Sequence, residues 1–243
     1  MSSSTPASSS SRKKTARSAP QAWGPFWLAV GLVLVLMRGV PVLERRSLSD
    51  LRPSWAYDPA PLVMRGGDPY IRALMRTISA SEANGKRPYS LLYGGQHFSN
   101  LRQHPDQCVT ITTGPNRGDC TTAAGRYQFL TSTWEEKAEQ YHPQRSQLWL
   151  TGEYNFEPEY QDEVVYEWLS DPNAWGTDLS ILLRQDRIHA VLERLSGTWT
   201  SLGYGIETNS VSSRLPKIYQ RILEEELAIA NNNMPSSESL TAQ

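Results

Sequence analysis

Neither sign of charge prevails in this sequence: 24 Lys and Arg stand against 25 Asp and Glu over 243 residues, a formal net charge of -1. Without a basic excess there is no patch to neutralise phosphates, so nucleic acid is not an expected partner. Cysteine is scarce as well. The two present, Cys108 and Cys120, cannot complete a structural zinc site alone, and no histidine stands at finger spacing to help them. His97 and His104 fit no common zinc spacing either. No internal repeat is visible. Nothing here calls for a metal or a cofactor. Aromatic residues are abundant instead. Eight Trp and eleven Tyr suit a packed core, and some suit the wall of a sugar groove.

The chain divides by composition. Residues 1–21 are Ser-rich and basic, unable to bury apolar surface, and are expected to be disordered. Residues 22–43, AWGPFWLAVGLVLVLMRGVPVL, have the length of a membrane span, about 20 residues. Trp23 and Trp27 stand where an aromatic belt would, and Arg38 lies near the end, where its side chain can snorkel. No A-x-A cleavage pattern follows the run, so the segment reads as an uncleaved transmembrane helix rather than a signal peptide. Basic residues flank it on both sides, so charge does not set its orientation. Residues 44–67 contain Pro53, Pro59 and Pro61 without helical period and read as a linker. A compact domain is expected over 68–230, with a flexible polar tail at 231–243.

Within the domain, DPYIRALMRTISASEANG carries strong boundary signals. Asp68 suits an N-cap, Pro69 the first helical position, and Gly85 the end. Ile71, Leu74, Met75 and Ile78 form an apolar stripe at helical spacing, and Glu82 continues that stripe in the last turn. Partial burial and the negative end of the helix dipole both disfavour an ionised carboxylate there. A general acid for glycoside cleavage must hold its proton near neutral pH, and such a glutamate fits. The competing reading is a glutamate at a frayed helix end, turned to solvent.

Five further patterns follow in order. They are Ser81-Glu82; Tyr89 with LLYGGQHFSNLRQHP, including Gly94-Gly95, Phe98 and His104-Pro105; AAGRYQFL at 123–130; Phe156, Pro158, Gln161, Asp162 and Val164; and Trp199, Ser201-Leu202 and Gly203-Tyr204-Gly205. Taken together and collinear, they resemble the lytic transglycosylases of the phage lambda endolysin type, within the lysozyme-like superfamily. That resemblance implies an α+β, lysozyme-like fold: a mainly helical lobe, a small β-lobe from about Tyr89 to Thr122, and a groove between them. The β-prone run Val109–Thr112 and the turn-rich Gly114–Asp119 agree with it. A hairpin there brings Cys108 near Cys120, and a disulfide is expected if the domain faces the periplasm or exterior. Further helices are expected with Ser132 as N-cap and Glu135 completing a capping box, and over Glu159–Ser170, Leu179–Leu195 and Leu215–Leu227.

The resemblance also implies roles. Glu82 becomes the single acid/base that cleaves peptidoglycan glycan strands between N-acetylmuramic acid and N-acetylglucosamine, closing a 1,6-anhydro ring. Tyr89, Gly94, Gly95, Arg126, Tyr127, Gln128 and Tyr204 are the candidate substrate-binding residues. Tyr127 reads equally as core, Arg126 as a structural ion pair, and the glycines as turn formers. Asp106 and Asp119 sit in turn-rich surroundings and read as loop-shaping residues rather than a second catalytic carboxylate. The alternatives are a hydrolytic muramidase and a non-catalytic peptidoglycan-binding protein. With the apolar run as anchor, the expected place is the inner membrane, single-pass, the catalytic domain facing the periplasm or cell wall.

Overall fold

A computed structural model describes residues 59–144, 154–204 and 210–232. Its helices are α1 (Pro69–Glu82), α2 (Thr131–Tyr141), α3 (Pro158–Ser170), α4 (Pro172–Trp175), α5 (Leu179–Arg184), α6 (Ile188–Leu195) and α7 (Leu215–Asn232). An antiparallel pair, β1 (Val109–Thr110) and β2 (Cys120–Thr121), makes the small sheet. The fold is thus α+β, mainly helical, with a minor β-lobe.

α1 starts as its sequence dictates. The Asp68 carboxylate accepts from the Tyr70 N–H at 2.8 Å, and Pro69 fills the first turn, where a missing N–H costs nothing. Ile71, Leu74, Met75 and Ile78 are all buried, as are Ala73, Thr77, Ser79 and Ala80, which makes α1 the central helix of the core. It packs on α7, α3 and α5. The helix stops before Gly85: Ala83 donates to Ser79 O at 2.9 Å and then leaves helical space, its φ being -142°. Buried charge ties α1 to α7. Arg76 donates to Glu226 at 3.0 Å and Glu225 at 2.9 Å, and Arg72 to Glu226 at 2.7 Å. Such pairs hold register because either side alone would be an uncompensated buried charge.

Three boundaries differ from expectation. The single helix read over Leu179–Leu195 is two, α5 and α6. Asp186 between them adopts a left-handed φ of 57°, and its carboxylate accepts from the Gln220 amide on α7 at 2.6 Å. Helix α2 begins at Thr131, so Ser132 is not its cap. Leu130 occupies the cap position, and the Thr131 N–H is met by Thr122 Oγ1 of the β-lobe at 3.0 Å. The C-terminal helix runs on to Asn232.

In the β-lobe, Val109 faces Thr121 and Thr110 faces Cys120, and Gly114 and Gly118 turn the chain at φ of 85° and 101°. This register sets Cys108 and Cys120 5.5 Å apart at Cα, joined by the expected disulfide.

Residues 59–64, inside the stretch read as linker, lie against the domain. Leu62 and Met64 are buried, the Val63 and Met64 N–H groups donate to Asp162 at 2.8 and 3.3 Å, and Arg76 donates to Pro59 O at 3.1 Å. The apolar run at 22–43, the basic segment 1–21 and residues 233–243 lie outside the described residues. No helix among the described residues is long and apolar enough to cross a membrane. The longest, α7, is amphipathic and carries Glu224, Glu225 and Glu226. The expectation of a single-pass, inner-membrane protein is corrected accordingly.

Candidate active site

Glu82 ends α1 at the mouth of a cleft of about 640 Å³ between the helical lobe and the β-lobe. Its side chain is half-buried. Because α1 is locked in the core, the carboxylate stands on a rigid support, which a catalytic group needs. A serine cluster holds it. Ser201 Oγ donates to Glu82 Oε1, Ser81 Oγ donates to Ser201 Oγ at 2.7 Å, and the Ser201 carbonyl accepts from Ser81 Oγ at 3.0 Å and Ser212 Oγ at 2.7 Å.

Across the cleft stands the AAGRYQFL turn. Ala124 and Phe129 exchange backbone hydrogen bonds at 3.0 and 2.9 Å, and the Gly125 N–H reaches Leu91 O at 2.8 Å. Closing so tight a loop takes two left-handed residues, Gly125 at φ 77° and Gln128 at φ 48°. Gln128 lines the cleft, half-buried. Its amide nitrogen donates to Gly125 O at 2.9 Å and Leu91 O at 3.3 Å, which fixes the side chain and turns its carbonyl oxygen the other way. Tyr127 lies at the cleft floor, but its ring is fully buried and its hydroxyl donates to Asp162 at 2.7 Å.

The remaining walls come from Tyr93, Ile111, Asn116 and Thr121 of the β-lobe side, from Thr133, Glu136 and Lys137 of α2, and from Trp168 and Trp199. Polar side chains and aromatic rings share the lining, a combination suited to sugar. Lys137 pairs with Glu136 at 2.6 Å and sits 4.7 Å over the Trp168 ring.

Of the residues singled out from sequence, the structure brings Gln128 and Tyr127 to the cleft with Glu82. It places the others elsewhere. Arg126 is fully buried and donates to Pro61 O at 2.9 Å, to Ala60 O, and to the Tyr89 hydroxyl at 2.8 Å. Tyr89 in turn donates to Asp162 at 2.7 Å. Arg126 and Tyr89 therefore belong to a buried network and do not line the cleft. Burial pushes the Asp162 carboxyl upward, with Arg126 and the two tyrosine hydroxyls pulling it back. Gly94 and Gly95 form an exposed turn, at φ 83° and 93°, beside Tyr93. Tyr204 is 44% exposed, and its hydroxyl meets His189 Nδ1 at 2.6 Å in a separate hollow with Gly203, Ser212 and Pro216. Among the described residues no cluster of His, Cys, Asp and Glu could hold a metal ion. Sequence reasoning missed Tyr93, Glu136, Lys137 and the hold of Ser201 on Glu82. Only the helical spacing of Leu130, Thr133 and Lys137, and the W-x-S-L pattern around Ser201, hinted at them.

Asp106 and Asp119 do not line this cleft. Asp106 accepts from Thr131 Oγ1 at 2.7 Å, and the Asp119 carbonyl accepts from the Ile111 N–H at 2.8 Å. Among the described residues, Glu136 is the other carboxylate beside Glu82 in the lining, and its side chain is 59% exposed.

Two solved structures are similar to this chain. A bacteriophage lambda lysozyme complexed with a chitohexasaccharide is 24% identical, matching 65% of this chain and 97% of its own at a TM-score of 0.47. A lysozyme from bacteriophage lambda is 22% identical over 67% of this chain and 97% of its own, with a TM-score of 0.46. No curated protein matches. The Endolysin family model matches residues 72–224, from α1 into α7 and through every wall of the cleft. Since that match spans more than half of the chain, the protein belongs to the Endolysin family and is a peptidoglycan-cleaving enzyme.

Proposed function

We propose that this enzyme is a lytic transglycosylase that cleaves the β-1,4 bond from N-acetylmuramic acid to N-acetylglucosamine, with Glu82 as its single acid/base. Glu82 protonates the glycosidic oxygen as the bond to C1 breaks. The resulting carboxylate then takes the proton of the muramic acid C6 hydroxyl while that oxygen bonds C1. A 1,6-anhydro ring closes, and Glu82 regains its proton, so no water is consumed. The observation carrying this reading is the unequal state of the two carboxylates that the described residues bring to the cleft. Glu82 is half-buried on a rigid helix end, whereas Glu136 is exposed and paired to Lys137 at 2.6 Å. A glycosidase that activates water or forms a covalent intermediate normally needs two carboxyl groups with distinct roles. The fixed carbonyl oxygen of Gln128 is an acceptor suited to the N–H of an N-acetyl group.

One observation favours the hydrolytic muramidase as second reading: Glu136 does line the cleft. Products separate the two. Mass spectrometry of digested peptidoglycan should show anhydro-muramic ends, one water lighter than reducing ends, and Glu136→Gln should leave their yield nearly intact. Glu82→Gln should lower turnover by at least about a hundredfold, the usual worth of a general acid, while glycan binding persists. Reducing ends that vanish in Glu136→Gln would replace the transglycosylase reading with hydrolysis.

A further inference from the structure

We propose that Ser201 is a positioning residue that holds the Glu82 carboxyl through Oε1 and stabilises it as it gives up the catalytic proton. The inference rests on the reading of Glu82 as acid/base.

The cluster around Ser201 has a direction. A carbonyl oxygen only accepts, and the Ser201 carbonyl lies 3.0 Å from Ser81 Oγ and 2.7 Å from Ser212 Oγ. The single Ser81 hydroxyl proton is therefore spent on the Ser201 carbonyl and on Ser201 Oγ, 2.7 Å away. That leaves the Ser201 proton for Glu82 Oε1. Ser201 itself is clamped by α1 on one side and by the short helix Ser212–Arg214 on the other.

The bond is worth more as the reaction proceeds. When Glu82 yields its proton, Ser201 Oγ–H comes to face an anion, and a hydrogen bond to a charged acceptor is roughly twice as strong as a neutral one. That gain arises in the transition state and not in the bound substrate, so it acts on kcat rather than KM. Among the described residues, the other titratable or charged groups that share the cleft with Glu82 are Tyr93, Tyr127, Glu136 and Lys137. Ser201 itself is bonded to Ser81, Ser212 and Glu82.

The test is a pH–rate profile on peptidoglycan for Ser201→Ala, Ser201→Thr and Glu82→Gln in the full chain. Ser201→Ala keeps the backbone carbonyl that Ser81 and Ser212 use, and thermal unfolding checks that it folds. Its kcat should fall about ten- to hundredfold with KM nearly unchanged. Loss of a donor to the carboxylate favours the protonated form, so the alkaline limb, where the acid loses its proton, should move to higher pH. Ser201→Thr, which keeps the hydroxyl, should restore both rate and limb. Ser81→Ala, which removes only the bond that orients Ser201, should shift the profile in the same sense by a smaller amount. An unmoved limb and unchanged kcat in Ser201→Ala, with Glu82→Gln inactive, overturn this inference and leave the acid/base reading standing. Full activity in Glu82→Gln overturns both.

Discussion

Gly125 shows how one residue type shapes the site. Its φ of 77° is open to glycine at no steric cost, and a Cβ there would collide with Gln161 Oε1 and lie 2.7 Å from Phe156 Cζ. Gln161 has little room to yield, because its carbonyl accepts from the Arg126 N–H at 2.9 Å and its amide donates to Phe156 O at 2.8 Å. Gly125→Ala should therefore destabilise the fold by about 2–4 kcal/mol, through backbone strain and overpacking together. Urea unfolding measures it, and a change below about 0.5 kcal/mol, the scale of ordinary surface substitutions, would contradict the packing described. The same substitution also disturbs Gln128, whose amide donates to Gly125 O, so activity should fall more than stability alone dictates.

Between elements, the decisive contact is the docking of residues 59–64 on α3 and the AAGRYQFL turn. Asp162 accepts from Val63, Met64, Tyr89 and Tyr127, while Arg126 reaches the carbonyls of Ala60 and Pro61. A buried carboxylate with four donors and a nearby guanidinium is a dense polar network, costly to break at one point. Asp162→Ala should cost roughly 3–5 kcal/mol, because it leaves several buried N–H and O–H donors without their acceptor, at about 1–3 kcal/mol each. It should also free residues 59–66, so trypsin should cut at the exposed Arg65 sooner than in the parent chain. Equal cleavage rates would show that the segment is held by Leu62 and Met64 instead. Pro53, Pro59 and Pro61 suggested a linker because composition reports local stiffness and not a distant acceptor.

Across the molecule, two buried histidines make stability depend on pH. His104 Nδ1 accepts from the Asp106 N–H at 3.2 Å and Nε2 donates to Phe129 O at 2.8 Å; His142 does the same with Gln144 at 3.1 Å and Asn155 O at 3.2 Å. Burial lowers both pKa values, partly offset by the carbonyl each ring faces. The unfolded chain takes up these protons near the ordinary histidine value of about 6.5, and the folded chain takes them up only at lower pH. Their contribution is thus fully present above that pH and is lost as pH falls. The buried Asp162 carboxyl, pushed upward, acts in the opposite sense on acidification. Ring signals followed by NMR isolate the histidine part. Both imidazoles should titrate below the ordinary value of about 6.5, and an unshifted titration of either would contradict the burial that lowers it.

The sequence alone determined what is local and repeated along the chain. Asp68 and Pro69 start α1, its apolar stripe faces the core, Glu82 falls on that stripe, and the turn-rich 114–119 segment closes a hairpin that pairs two cysteines. Each follows from backbone chemistry or helical period within a few residues. Tertiary structure decided what depends on partners far away in sequence. Arg126 and Tyr89 resembled ligands for substrate until Asp162 and the backbone of residues 60–64 claimed them. The Thr131 N–H found its cap on Thr122, and Glu82 found its donor on Ser201, 119 residues on. A hydrogen bond depends on distance and angle in space, and no spacing rule along one chain encodes which distant group will stand there.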